Sequence, residues 1–174
     1  MNETIERYDP ARRADIENEL TEILVDCVEG GASVSFMQPL ARAKARAFWH
    51  GVLDSAARGE RIVLLARDAA GRVSGTVQVV TALPENQPHR GDVAKLLVHR
   101  RARRQGLARA LMLAAEDAAR SVGRTLLVLD TVTGGAAERL YAQLGWIVSG
   151  RIPGYALMPT GEPCSTTIFY KTLA

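Results

Sequence analysis

Hydrophobic and polar positions divide the chain into segments of two periods. Ile16, Leu20, Ile23, Leu24, Cys27 and Val28 fall at i, i+4, i+7, i+8, i+11 and i+12, one face of a helix. Asp9 as N-cap and Pro10 at the first helical position predict its start, and Gly30-Gly31 its end. A second helix is expected to open at Pro39 and run to about Arg58, with Gly59 as its stop. Residues 4–8 read as a short strand. RIVLLA (61–66) and VSGTVQVVTAL (73–83) read as a hairpin about the turn DAAGR (68–72). After a proline-containing loop, GDVAKLLV (91–98) alternates at first and then turns apolar on both faces, as a central strand does. Leu107, Ala110, Leu111, Ala114, Ala118 and Val122 return to helical spacing, which Gly123 ends. TLLVLD (125–130) is too apolar for a surface strand, and GAAERLYAQLG (135–145) is a short helix. WIVSGRI (146–152) and STTIFYKTL (165–173) are two closing strands, with a Pro/Gly-rich loop between them.

The predicted order is β-α-α-β-β-β-α-β-α-β-β. Its central strand–helix–strand unit should cross over right-handedly with its strands parallel. The expected fold class is therefore α/β (α+β): a mixed, mostly antiparallel sheet with a central parallel βαβ unit and helices on both faces. A length of 174 residues suits one domain, 1–174. The net charge of +3 is too small to imply a nucleic-acid partner by itself. Cys27 and Cys164 form no CxxC pair, and His50, His89 and His99 lie at no metal-ligand spacing, so no metal is expected. The opening stretch has no apolar signal core, and no apolar run approaches the ~20 residues of a membrane span. A cytoplasmic chain without a membrane partner is the expectation.

Chemistry concentrates after the central strand. Four of the five residues Arg100 to Arg104 are arginines, followed by Gln105, Gly106 and a helix. Free N–H groups at a helix N-terminus, aided by the helix dipole, bind phosphate. Gly106 lets a ligand approach the backbone, and Ala108 keeps bulk away. No Lys-Ser/Thr follows the glycine, as a nucleotide-hydrolysing P-loop requires, and a dinucleotide fingerprint would need more glycines. An arginine cluster also suits nucleic acid, but no aromatic platform stands beside it. A solvated basic turn is the plain alternative.

Arg103-Arg104-Gln105-Gly106-Leu107-Ala108 resembles the Q/R-x-x-G-x-G/A motif of the GNAT acetyltransferase superfamily, and stands, as there, between an apolar strand and a long helix. The resemblance spans nearly the whole chain. It implies the GNAT fold, acetyl-CoA as co-substrate, and backbone amides of Arg104 to Arg109 around its pyrophosphate. Arg100, Arg101 and Arg103 would add charge toward the phosphates. Leu96, Leu97 and Val98 would line the coenzyme from the strand, and an N–H near Leu97 would stabilise the oxyanion. AAERLYAQLGW (136–146) resembles the family's A-x-x-x-Y-x-x-x-G-F/W segment, so Ala137, Thr131 and Gly134 are expected near the coenzyme. Tyr141 is then expected both to contact it and to protonate its leaving thiolate. Gly134 stands where many members carry an asparagine that touches the pantetheine arm.

Asp92 and Asp130 are carboxylates on apolar strands. Each is a candidate base for an ammonium acceptor, directly or through water, and each is equally a candidate cap or loop anchor. The GGASVSFM segment (30–37), LDT (129–131), IPGYALMPTGEP (152–163) and TTIFYKTL (166–173) resemble a branch of the superfamily that acetylates small, amino-acid-like toxins. Gly31, Ser33, Ser35, Phe36, Asp92, Asp130 and Tyr155 are accordingly expected at the acceptor site. The expected function is N-acetylation of a small-molecule amine by direct transfer in a ternary complex, with no nucleic-acid partner. Acetylation of a peptide N-terminus, or coenzyme binding without turnover, are the competing readings. An exposed final strand would favour a homodimer.

Overall fold

The computed structural model describes residues 3–173, so the two N-terminal residues and Ala174 of the expected 1–174 domain lie outside it. Seven strands form one sheet in the order β1-β2-β3-β4-β5-β7-β6. They are β1 (Thr4–Arg7), β2 (Arg61–Arg67), β3 (Val73–Val80), β4 (Arg90–Val98), β5 (Leu126–Val132), β6 (Ile147–Leu157) and β7 (Pro163–Thr172). Only β4 and β5 run parallel; every other neighbouring pair is antiparallel. The helices are α1 (Arg13–Glu29), α2 (Arg42–Ala57), α3 (Leu107–Ser121) and α4 (Ala136–Gln143). The mixed sheet with its central parallel unit is as the sequence predicts.

Each face of the sheet has its own core. On one face Ile16, Leu20 and Leu24 of α1 and Trp49 and Leu53 of α2 pack on Val63, Leu65 and Leu97. On the other, Leu107, Leu111, Met112 and Ala115 of α3 pack on Leu64, Val77 and Leu127, joined by Tyr141 and Phe169. Successive residues of β2 enter opposite cores, which is why that strand reads as an unbroken apolar run. Helix α3 sits close against β3 at Gly75. A Cβ there would lie 3.0 Å from Leu111 Cδ1 and 3.1 Å from the Leu97 carbonyl. The missing side chain sets how near the N-terminus of α3 comes to the sheet.

Three boundaries differ from expectation. Helix α2 begins at Arg42 rather than Pro39, because Leu40 turns its side chain into the core and Ala41 is still extended. Strand β3 ends at Val80, where the N–H groups of Thr81 and Ala82 turn to the Glu60 carbonyl. The segment 153–157 belongs to β6 rather than to a loop, so only 158–162 connect β6 to β7. A register shift between Ile152 and Ala156 absorbs the proline and glycine of this stretch. The final strand is not exposed at an edge either. It lies between β5 and β6, and β6 is the edge, with Ile147, Val148 and Tyr155 exposed.

The far end of the sheet is fastened by a buried ion pair. Glu116 of α3 accepts the Trp146 indole N–H at 3.0 Å and the Lys171 ammonium at 2.7 and 2.8 Å. Lys171 also donates to the Leu144 carbonyl at 2.8 Å, so one cation ties α3, the end of α4 and β7 together. Removing one member leaves the other charge buried. Lys171→Met should therefore cost about 3 kcal/mol in chemical denaturation, a loss typical of a broken buried pair.

Candidate active site

The site starts where β4 and β5 part. Their parallel register covers Arg90↔Leu126, Gly91↔Leu127 and Asp92↔Val128 and no more. Beyond it β4 continues to Val98 and β5 to Val132, and a cleft opens between them. A β-bulge starts the divergence: Gln78 pairs with Ala94 and Thr76 with Leu97, so β4 carries two residues, Lys95 and Leu96, opposite one. Lys95 takes a left-handed φ of 52° there. Past the bulge, the His99 N–H donates to the Ser74 carbonyl on β3. N–H groups alternate sides along a strand, so those of Val98 and Leu96 face the cleft and that of Leu97 faces β3. The oxyanion donor expected near Leu97 is thus better supplied by a neighbouring residue.

The arginine-rich turn closes one end of the cleft. A short 3-10 turn, Arg100–Ala102, leads to Arg104 (φ 62°) and Gly106 (φ 83°), and α3 starts at Leu107. Gly106 is its N-cap, and no side chain caps the helix. The N–H groups of its first turn therefore remain available to an anion. The space beside Gly106 is open, with no atom within 4 Å of a Cβ placed there. The arginine side chains do less than the sequence suggests. Arg100 binds Asp26 through its N–H and its Nε, both at 2.8 Å. Arg101 donates to the Val73 carbonyl at 2.8 Å and pairs with Glu22. Arg103 donates to the Val98 carbonyl at 3.1 Å and reaches Cys27 Sγ at 3.8 Å. These three brace the turn against α1 and β3. Among the described residues no partner is found for the Arg104 and Arg109 side chains, which stay free for phosphate. Burial would push the Asp26 carboxyl up, but the Arg100 N–H, the Arg100 guanidinium and His99 together hold it below its ordinary value.

Tyr141 comes from the opposite core. It is the one buried residue of α4, and its ring packs edge-on to Phe169 at 5.8 Å and tilted to Trp146 at 6.1 Å. Burial, then the nearby Asp130 carboxylate, push its phenol above the ordinary value, so it holds its proton. Gly134, expected near the coenzyme, has its N–H taken by Glu138, a partial capping box for α4.

Most of the residues expected at an acceptor site lie on the α1–α2 face of the sheet. Asp130 is exposed on β5, opposite Ile168, and accepts from Thr166 Oγ1 at 2.9 Å. Asp92 shares its face but sits at the paired end of the strands, bound to the guanidinium of Arg90. The structure therefore groups Asp130 with Tyr141 and leaves Asp92 apart. The α1–α2 connection and the tip of the β6–β7 hairpin form a roof. Ser33 Oγ donates to the Leu157 carbonyl at 3.0 Å, and the Gln38 N–H to the Pro159 carbonyl at 2.9 Å. Gly31 (φ 85°) shapes the connection, and Phe36 stacks edge-on to Phe48 at 5.3 Å. Tyr155 stands exposed on β6. Ser35 adopts a left-handed φ of 77° and accepts at Oγ from Lys95 Nζ, 3.0 Å away. Lys95 was missed in the sequence reading, where its only signal was a lysine interrupting an apolar strand. Cys27 is buried, and burial pushes its thiol up despite Arg103, which removes it as a nucleophile.

Comparison with known proteins agrees with this geometry. The profile of the acetyltransferase (GNAT) family matches residues 18–146. An uncharacterised N-acetyltransferase from the hisH-hisA intergenic region of Azospirillum brasilense is 33% identical over 129 residues, 73% of this chain and 74% of that protein. Among solved structures, yncA of Salmonella typhimurium with its cofactor acetyl-CoA superposes with a TM-score of 0.78 at 23% identity, covering 100% of this chain and 95% of that one. A phosphinothricin acetyltransferase of Sinorhizobium meliloti in complex with acetyl-CoA gives 0.80 at 18% identity, covering 100% and 90%. At these identities the structural likeness speaks for the fold.

Gly106 offers a direct test of the turn. Valine at a positive φ costs about 1–2 kcal/mol and crowds the free amides. Gly106→Val should weaken acetyl-CoA binding at least about tenfold in calorimetry, the factor that ~1.4 kcal/mol carries. Unchanged affinity would reject the turn as the anchor.

Proposed function

The chain belongs to the acetyltransferase (GNAT) family, whose members use acetyl-CoA as co-substrate, and from that premise we propose that it acetylates the amine of a small, amino-acid-like acceptor by direct transfer in a ternary complex. The observation that carries this reading is the roof. Two hydrogen bonds join the α1–α2 connection to the hairpin tip over the face that bears Asp130, which suits a compact acceptor better than an extended peptide. The segments 30–37, 129–131, 152–163 and 166–173 that build this region also resemble the tabtoxin resistance protein, an acetylating enzyme for a small toxin. The phosphinothricin acetyltransferase among the structural relatives is named for a small acceptor as well.

Bound acetyl-CoA supplies the activated thioester, and its pyrophosphate would rest on the amides of Gly106 to Arg109. The roles of this chain's residues follow from their placement. The N–H groups of Leu96 and Val98 face the cleft and would orient the acetyl carbonyl. Asp130, accessible to water and in no ion pair among the described residues, would take the proton of the acceptor ammonium through water. Tyr141 would hold a proton for the departing sulfur. Its raised pKa suits that task, because a phenol that stays neutral always has a proton to give. Asp92, tied to Arg90, is the weaker candidate base.

The test is thiol release from acetyl-CoA with small amines, amino acids and one peptide as acceptors. Tyr141→Phe should lower kcat about 10²-fold or more, the usual contribution of a general acid, with little change in acetyl-CoA affinity. Turnover confined to the peptide would reject the small-acceptor reading, and coenzyme binding with no turnover would reject the enzyme reading. The pH profile adds an independent check. An acid with a raised pKa stays protonated as pH climbs, so activity should show no loss from Tyr141 ionisation up to pH 10.0, the ordinary phenol value. Asp130→Asn should lower kcat about 10²-fold or more, the usual contribution of a general base, with little change in acetyl-CoA affinity.

A further inference from the structure

Lys95 is a cation without an anion. It sits at the β4 bulge with a left-handed φ of 52°, half-buried. Its ammonium lies over Phe48, with Nζ 5.6 Å from the ring centroid, and donates to Ser35 Oγ at 3.0 Å. Ser35 is itself held at a φ of 77°. Backbone strain of this kind persists only where the surroundings impose it, and here two strained residues from different elements meet through their side chains. An ammonium has three protons to donate, and Ser35 accepts one. Among the described residues no carboxylate lies within ion-pair distance of it, whereas buried Arg67 and partly buried Arg13, Arg90 and Lys171 each pair with one. Burial works against the ammonium; of the charges around it Asp130 favours it and Arg61 opposes it. A half-buried cation so placed costs free energy unless an anion completes it.

We infer that Lys95 and Ser35 form the subsite that receives the carboxylate of the acceptor, so that the acceptor is an α-amino acid or a close analogue rather than a simple amine. This rests on the proposed function and deepens it. Lys95 and Asp130 face the same side of the sheet from the two strands that diverge, near enough for their charges to interact yet forming no ion pair. A zwitterion fits between them in one sense only, carboxylate on Lys95 and ammonium toward Asp130. That sense turns the amine toward Asp130, whose charge is felt at Tyr141. Ser35 adds a hydroxyl that can turn from accepting the lysine proton to donating toward the carboxylate. The face of the Phe48 ring attracts the ammonium and helps to keep it where the bulge puts it.

The experiment measures kcat/KM for a panel of α-amino acids, each paired with its carboxamide, in the wild type, Lys95→Met and Lys95→Arg. The expected result is a preference for carboxylates of at least about tenfold in the wild type, abolished in Lys95→Met through KM and partly restored in Lys95→Arg, a change of the size one charge-assisted contact gives. In Lys95→Met the carboxamides should lose far less than the carboxylates, and acetyl-CoA binding in calorimetry checks that the bulge is kept. A preference that survives Lys95→Met, or a wild type that favours carboxamides, overturns the subsite. So does an equal loss for both members of each pair, which marks a structural role. If no panel member turns over, the small-acceptor reading fails, and calorimetry of the same panel with the CoA-loaded protein decides the subsite alone. Carboxylate binding lost in Lys95→Met supports it, and absence of carboxylate binding to the wild type overturns it.

Discussion

The separation of β4 from β5 after three residue pairs is the constraint on which the molecule depends. Two parallel strands buried between helical layers would normally stay paired along their length, because each open N–H or C=O in the interior carries a penalty. Here the bulge at Lys95 and Leu96 rotates β4 away, and the open edge becomes a strip of donors and acceptors facing a cleft. An extended ligand that pairs with this strip restores what the sheet gave up. The rest of the site is arranged along that edge: the turn at its end, Tyr141 below it, Asp130 and Lys95 above.

Holding two strands apart demands a stiff frame, and the chain uses ions for it. Glu116 and Lys171 clamp one end of the sheet, and Arg67 joins Glu6 and Glu19 at the other. Asp26 fixes the arginine-rich turn to α1 through two bonds to Arg100. Because its carboxyl is held below the ordinary value, Asp26 stabilises the fold fully above the unfolded-state pKa and loses that contribution as pH falls through the folded one. Asp26 and Glu22 spend the charge of Arg100 and Arg101 inside the protein. An anion at this turn would then meet backbone amides and the side chains of Arg104 and Arg109.

Much of this was legible in the sequence, for physical reasons. The order of elements followed from periodicity, since each segment needs a particular apolar spacing to reach its core. The start of α3 after Gly106 was legible because a glycine followed by an apolar run at helical spacing marks it. The length of β6 was not, because Pro153 and Gly154 read as loop formers, and only a register slip lets a strand absorb them. The start of α2 was misplaced because Pro39 signals a helix opening, whereas burial of Leu40 decides it. Nor could spacing tell that Arg100 and Arg101 turn inward, since their partners Asp26 and Glu22 are distant in the chain. Lys95 was the most consequential omission. Its meaning depends on a bulge, and a bulge is a property of two strands in register, invisible in either alone.

On the proposed reading, the bulge also lets one strand serve two ligands. Before it, Asp92 and Ala94 face the α1–α2 side and Val93 faces α3. After it, Leu97 faces the α1–α2 core while Leu96 and Val98 pack toward α3. The extra residue inverts the alternation and leaves Lys95 at the point of inversion, where its side chain reaches Ser35 and Phe48. A regular strand would force a choice between opening its edge and projecting a charge on that face. The inserted residue does both at once, so on the proposed reading coenzyme geometry and acceptor selectivity would depend on a single backbone irregularity.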